Sequence, residues 1–131
     1  MEPDFEFNKD EARRNGLLGI VKGESNWGGV IHFQNLTAEI LKTLLDEKLA
    51  DPEETQNEAP SIQEFYDFLV ENPGYTAHGY AVDLERDDYR ISIEGVEGCA
   101  ETEEGRSAFI EMFRFADDFT FAVDWQYCWF D

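Results

Sequence analysis

The chain has 131 residues, of which 42% are hydrophobic and 15% aromatic, and this excludes a disordered acidic tail. Its 30 acidic and 10 basic residues give a formal charge of -20, which argues against direct binding to nucleic acids and to anionic membranes. The longest apolar stretch, residues 17–21, is too short to span a membrane. We therefore expect one acidic domain over residues 1–131, located in the cytoplasm.

The N-terminal third predicts an arm followed by a hairpin. Residues 1–16 mix acidic and basic side chains and predict a loose arm that ends in a turn over 13–16. Residues 17–22 and 29–34 predict two strands, joined by a loop whose glycines suit a hairpin. A phosphate-binding loop is disfavoured because no Gly-Lys-Ser/Thr follows and Glu24 would repel the ligand.

Two helices with an intervening loop come next. Thr37 caps a predicted helix that runs to about residue 49. The polar segment 50–60 contains two prolines and predicts an exposed loop. Ser61 and Glu64 then form an S-x-x-E capping box, which predicts the start of the second helix.

The second half predicts another hairpin, a third helix and a final strand. Residues 75–84 and 89–97 alternate as strands around a charged turn, and small side chains on one face of the first strand would admit a covering element. Thr102 caps the third helix. Residues 119–130 alternate throughout and predict one long strand with a buried aromatic face.

The resulting element order is β-β-α-α-β-β-α-β. It predicts an α+β fold, with an antiparallel or mixed sheet of about five strands and three helices packed mainly on one face.

Candidate catalytic and metal-binding residues are few. Cys128 would need a nearby histidine to act as a nucleophile. Its position on an aromatic-rich strand favours a small buried side chain over a catalytic one. His32, His78, Cys99 and Cys128 could converge on zinc, but no local pair of ligands brings them together. With thirty acidic residues, carboxylate pairs carry no information about catalysis. We therefore expect no catalytic residue, metal or cofactor, and a protein that is not an enzyme.

Acidic residues cluster on the second hairpin. The six carboxylates are Asp83, Glu85, Asp87, Asp88, Glu94 and Glu97. They lack the spacing of a calcium loop, whereas alternate positions on a strand could display a row of negative charge to a partner. The alternative interpretation of these carboxylates is a solvated hairpin tip in which they pair with Arg86 or Arg90.

The charge is placed unevenly along the chain. Residues 46–131 hold 23 acidic and 5 basic residues, whereas residues 1–45 hold 7 and 5. This asymmetry favours a basic protein partner bound by the later elements. Trp129, Phe130 and Trp27 are the candidate aromatic anchors.

The chain ends in Phe-Arg-Phe-Ala-Asp-Asp-Phe, residues 113–119, and Trp-Gln-Tyr-Cys-Trp-Phe-Asp, residues 125–131. In size, charge and this ending it resembles the small acidic bacterial immunity proteins for secreted or contact-delivered toxins. The resemblance implies a cytoplasmic inhibitor of a basic nuclease or similar toxin, and it transfers no functional residue. Two alternatives stay open: a nucleic-acid mimic that occupies the groove of a DNA-binding protein, and a metal-binding protein or enzyme.

Overall fold

The computed structural model describes residues 5–22, 28–56 and 58–130. Within these ranges no helix has both the length and the apolar character needed to cross a membrane. The helices and strands, in chain order, are α1 (Glu11–Leu18), β1 (Val30–Leu36), α2 (Ala38–Asp46), α3 (Ile62–Glu71), β2 (Tyr75–Val82), β3 (Arg90–Gly98), α4 (Glu103–Phe113), β4 (Asp118–Phe121) and β5 (Gln126–Trp129).

The five strands form an open antiparallel sheet in the order β1-β2-β3-β5-β4. The predicted α+β class and five-stranded sheet are confirmed, and the described chain has four helices rather than three. One hydrophobic cluster joins one face of the sheet to side chains from every helix. Ala77 and Ala81 of β2 are almost fully buried there, because their small side chains let the helices lie close to the sheet.

The three predicted helix starts are confirmed by their caps. Thr37 and Thr102 each accept a hydrogen bond from the backbone N–H three residues ahead, at 3.3 and 3.0 Å. Ser61 and Glu64 exchange the two bonds of a capping box, at 3.0 and 3.2 Å. Helix α2 ends at Asp46, three residues before its predicted end.

The predicted first hairpin is wrong. Asp10 accepts a hydrogen bond from Arg13 N at 3.1 Å and starts α1, and Gly19 ends it with a left-handed φ of 71°. Residues 11–16 thus belong to a helix instead of an arm or turn, and Arg14 is buried. The predicted strand 17–22 is replaced by the end of α1, and most of the predicted loop, residues 23–27, lies outside the described residues.

The predicted long last strand is also wrong, because the chain folds back into the hairpin β4–β5. Ala122 N donates to Trp125 O at 2.9 Å across the turn. A twelve-residue strand would extend about 40 Å, far beyond its neighbours in the sheet. After the turn, Cys128 and Phe130 point into the core, whereas Tyr127 and Trp129 lie half buried on the opposite face, which reverses the predicted orientation.

The segment 50–60 is less exposed than predicted. Ala50 and Ala59 are buried, and Thr55 forms a β-bridge with Ser61. Glu54 lies 3.1 Å from the guanidinium of Arg90, which ties the loop to β3.

Candidate functional site

The sheet face opposite the hydrophobic cluster is the candidate site, and we call it the second face. Directly paired residues in an antiparallel ladder lie on the same side of the sheet, so the register identifies its members. The pairs are His32 with Tyr80, Tyr80 with Ser92, Glu97 with Tyr127, Thr120 with Tyr127, and Asp118 with Trp129. Aromatic and acidic side chains thus share one face.

Glu94 is the most buried carboxylate of this face, with only 7% of its surface exposed. The indole Nε1 of Trp129 donates a hydrogen bond to Glu94 Oε2 at 3.1 Å. Nδ1 of His32 lies 3.4 Å from Glu94 Oε1. An ionised carboxylate has about four acceptor positions, so these two neighbours leave room for a further donor.

Glu97 and Asp118 lie beside Tyr127 and Trp129, because Glu97 pairs with Tyr127 between β3 and β5 and Asp118 pairs with Trp129 between β4 and β5. Burial raises the pKa of Tyr127, and the negative charges of Asp118, Glu97 and Glu94 raise it further. All three carboxylates therefore contribute to the negative potential at the Tyr127 hydroxyl. We call the set Glu94, Glu97, Asp118, Tyr127 and Trp129 the acid–aromatic cluster. In the described ranges none of its three carboxylates forms an ion pair with a lysine or an arginine, and the ion pair of Glu94 is with His32.

A row of stacked rings extends the cluster. The ring of His78 stacks on that of Tyr127, with centroids 5.3 Å apart and planes 4° apart. The ring of Trp125 also stacks with Tyr127, with centroids 5.6 Å apart and planes 19° apart. His78 Nε2 lies 3.1 Å from the carbonyl oxygen of Cys128, which can only accept, so this nitrogen carries the proton. Burial lowers the pKa of His78, and this favours its neutral form.

Gly95 makes this arrangement possible. A Cβ atom at this position would lie 1.9 Å from the carbonyl oxygen of Cys128 and 3.0 Å from His78 Nε2. The register of β2 and β3 shifts next to it, between His78 and Gly79. Because Gly95 has no side chain, β5 and the imidazole of His78 can lie close to β3.

Two adjoining cavities open on the second face. Their volumes are about 390 and 280 Å³, and both are lined by His32, Glu94 and Trp129. The larger extends to Tyr80, whose hydroxyl accepts from Arg90 Nη2 at 2.9 Å. Arg86 and Arg90 also line the larger cavity, whereas the described residues that line the smaller one include no lysine or arginine. In the smaller cavity, carboxylates beside aromatic rings can receive a cationic group by ion pairing and by cation–π contact.

Two of the predicted partner-binding carboxylates lie next to basic side chains. Glu85 forms an ion pair with Lys22. Asp88 lies 2.9 Å from Arg86 and 2.9 Å from Arg90. The negative charge at the tip of the β2–β3 hairpin is therefore partly neutralised by its own arginines and by Lys22.

The remaining predicted residues are scattered. Asp83 is half buried and Asp87 is exposed at the hairpin, whereas Glu94 and Glu97 lie on the second face with Trp129. Phe130 packs in the core and cannot serve as a surface anchor. The third candidate anchor, Trp27, lies outside the described residues.

Cys128 is a buried thiol in the core. Burial raises the pKa of Cys128 to about 12, as expected of a core side chain. In residues 5–22, 28–56 and 58–130, no group of three or more His, Cys, Asp or Glu side chains is arranged to hold a metal ion.

Sequence reasoning missed Asp118 and Tyr127 as site residues. Tyr127 lies in the segment 119–130, which the sequence predicts as one strand with Tyr127 on its buried face, and Asp118 directly precedes that segment. Recognition of the turn between Ala122 and Trp125 would have placed Tyr127 on the second face and Asp118 opposite Trp129.

Comparison with known proteins gives no relative. No family model matches the chain, and neither does any curated protein or solved structure.

Proposed function

We propose that this protein binds a basic protein and that the acid–aromatic cluster receives an arginine or lysine side chain of that partner. The observation that carries the proposal is the environment of Glu94. Its carboxylate is buried, is held by Trp129 and His32, and has no lysine or arginine ion pair among the described residues. Buried charge is costly without a compensating charge, and a cation from a partner would supply one.

The aromatic members of the cluster support the same proposal. Tyr127 and Trp129 are half buried, so each ring keeps surface for a partner while its position is fixed by the sheet. Tyrosine and tryptophan are enriched among the residues that dominate binding energy at interfaces. The net charge of -20 would accelerate the approach of a basic partner and would repel acidic ones.

The proposal extends to the class of partner and to the compartment. The resemblance to acidic bacterial immunity proteins makes a basic toxin or nuclease the partner class that we propose, with inhibition as the consequence of binding. Cys99 and Cys128 are free thiols, which suits a reducing compartment, and we propose a cytoplasmic location. The proposed role is binding without catalysis and without a cofactor.

A minimal probe tests the cluster directly. The amide of Gly-Arg-Gly is titrated into ¹⁵N-labelled protein, and the indole N–H signal of Trp129 is followed by NMR. We expect a saturable shift of this signal that Glu94→Gln weakens at least tenfold in affinity, about 1.4 kcal/mol. The matched control is Asp87→Asn, which removes one exposed carboxylate away from the cluster and should leave the affinity unchanged.

The outcome that overturns the proposal is equally specific. Small shifts spread over many acidic residues, with equal affinities for Glu94→Gln and Asp87→Asn, would mean that only the net charge attracts the peptide. The amide of Gly-Glu-Gly should cause no shift, and the affinity for the arginine peptide should fall as NaCl is raised.

A second candidate is a nucleic-acid mimic, and exposed carboxylates along α4 and β4 favour it. Glu103, Glu104, Glu111 and Asp118 are exposed there. A mimic would release a DNA-binding protein from duplex DNA in a competition assay. It would depend on many exposed carboxylates together, so Glu94→Gln alone should leave that competition unchanged, in contrast to the leading proposal.

A further inference from the structure

Strand β4 forms an edge of the sheet, with β5 as its neighbour on one side. Ala122 N donates to Trp125 O across the turn, and this bond sets the pattern of the ladder. Alternate residues of an antiparallel strand direct their N–H and C=O groups toward the partner strand. Thr120 therefore bonds to β5, whereas Phe119 and Phe121 direct these groups toward the outer edge. Such an edge is a template for a further strand.

The side chains of β4 make its two faces different. Phe119 and Phe121 lie on the side of the helices, with ring centroids 5.3 and 6.2 Å from that of Phe109. Phe121 remains 40% exposed at this edge. Asp118 lies on the second face, opposite Trp129. A strand beside β4 would therefore meet an aromatic ring on one face and a carboxylate on the other.

Charge selects the occupant of this edge. A second copy of the chain would bring another net charge of -20 to this edge. A basic strand would be attracted by the negative charge that repels a second copy. Because side chains alternate along a strand, the same segment can present apolar groups to Phe121 and cations to Asp118.

We propose that the partner adds a strand to β4, in which large apolar residues alternate with lysine or arginine. This inference deepens the proposed function and rests on it, because it names the kind of partner segment that the second face receives. Backbone bonds to Phe119 and Phe121 hold the strand, and alternate side chains select its sequence. The basic side chains lie on the side of Asp118, next to the acid–aromatic cluster.

Hydrogen exchange tests strand addition at the level of single amides. The probe is the blocked peptide Lys-Val-Lys-Val-Lys-Val-Lys, and exchange is followed by NMR. At nine-tenths saturation we expect the exchange of the Phe119 and Phe121 amides to slow about tenfold, because only the free fraction then exchanges through the open edge. The amide of Thr120, already bonded to β5, should change far less. The corresponding Glu-Val peptide should have no effect.

Three variants separate the backbone bond from the side chain and the charge. Phe121→Pro removes the outward donor together with the ring, and proline is tolerated at such an edge position. Phe121→Ala removes the ring alone and keeps the donor. We expect Phe121→Pro to bind the peptide at least tenfold more weakly than Phe121→Ala. Asp118→Asn, which leaves the backbone intact, should also weaken binding, and it serves as the test if the proline variant does not fold.

The outcomes distinguish this inference from the proposed function. If the basic peptide shifts the Trp129 indole signal while the exchange of Phe119 and Phe121 stays the same, strand addition is wrong and cation binding by the cluster stands. If neither changes, both proposals are wrong. Protection of the same two amides by the protein itself, rising with its concentration, would assign the edge to a second copy and overturn the basic strand.

Discussion

The indole N–H of Trp129 donates to the buried carboxylate of Glu94 at 3.1 Å and so links β5 to β3 across the second face. The two residues are 35 positions apart in the sequence. This bond fixes the direction of a carboxylate that has His32 as its other neighbour. The charge of the cluster is thus held in place before any partner arrives, which lowers the cost of binding.

Removal of the indole donor should destabilise the protein. We expect Trp129→Phe to lower the free energy of unfolding by about 1.5–3 kcal/mol, since a hydrogen bond to a charged group is lost. The measurement is urea unfolding followed by circular dichroism. The control is Trp125→Phe, which replaces a stacked, 44% exposed ring and should cost less than about 1 kcal/mol. Equal losses in the two variants would contradict the role given to the bond.

Gly95 should tolerate no side chain. In Gly95→Ala the new Cβ would lie 1.9 Å from the carbonyl oxygen of Cys128, so β5 must shift and the contact of His78 with this carbonyl must change. We expect a loss of more than about 2 kcal/mol in urea unfolding and a shifted His78 signal in NMR.

A matched glycine in α1 provides the control. No atom lies within 4 Å of a Cβ placed on Gly16. Since alanine favours helix over glycine by about 1 kcal/mol, Gly16→Ala should leave stability equal or higher. A harmless Gly95→Ala would show that β3 and β5 are less closely apposed than the structure describes.

The features that could be predicted from sequence depend on neighbours in the chain. Thr37, Ser61 and Thr102 each bond within three residues, so the sequence alone predicts the helix starts that they cap. The β2–β3 hairpin was found for the same reason, because its alternation is local. Helix α1 was missed because its buried residues include Arg14 and Asn15, which give no apolar periodicity.

The features that were missed depend on distant pairing. Alternation continues from Phe119 to Phe130, and nothing local distinguishes the turn at 122–125 from a continuing strand. Only the contacts with β3 and β4 determine the face of Tyr127. Glu94, Glu97 and Trp129 were all named from the sequence, but their meeting on the second face required the sheet order. The pairing of Asp88 with Arg86 and Arg90 is local and agrees with the alternative that the sequence offers for the hairpin tip, whereas the pairing of Glu85 with Lys22 requires the tertiary fold.

The two thiols should differ in reactivity. Cys128 is fully buried and its pKa is raised to about 12, so its reactive thiolate is scarce at pH 8. We expect Ellman's reagent to modify one thiol per folded chain and two in urea. Cys99, which is half buried, should account for the fast thiol, so that Cys99→Ser abolishes the rapid phase. A rapid phase that survives this substitution would contradict the buried position of Cys128.

Stability should fall at high pH. Burial raises the pKa of Cys128 from 9.0 to about 12, and burial raises that of Tyr75 from 10.0 to about 12. Both groups then ionise first in the unfolded chain, so their contribution to stability is complete below about pH 9 and is lost as the pH rises toward 12. Urea midpoints measured from pH 8 to 11 should decrease. Cys128→Ala should delay the onset to about pH 10, and an unchanged onset would contradict the assignment to this thiol.

Moderate salt should raise the melting temperature. Screening acts on two opposing sets of interactions, because it weakens ion pairs such as Lys42–Asp46 and also the repulsion among the remaining carboxylates. With 30 acidic and 10 basic residues, the repulsive contacts outnumber the attractive ones, so the net effect is stabilising. We expect most of the rise between zero and about 0.3 M NaCl, where the Debye length shortens most.

The protein's own isoelectric point supplies the control for this experiment. Near pH 4.1 the net charge is close to zero, so the same NaCl series should raise the melting temperature much less than at pH 7. General effects of salt on apolar hydration would persist at both pH values and would grow steadily into the molar range. An equal rise at both pH values would therefore remove self-repulsion as the cause. A fall at pH 7 would mean that ion pairs such as Lys42–Asp46 outweigh the repulsion of the whole acidic surface.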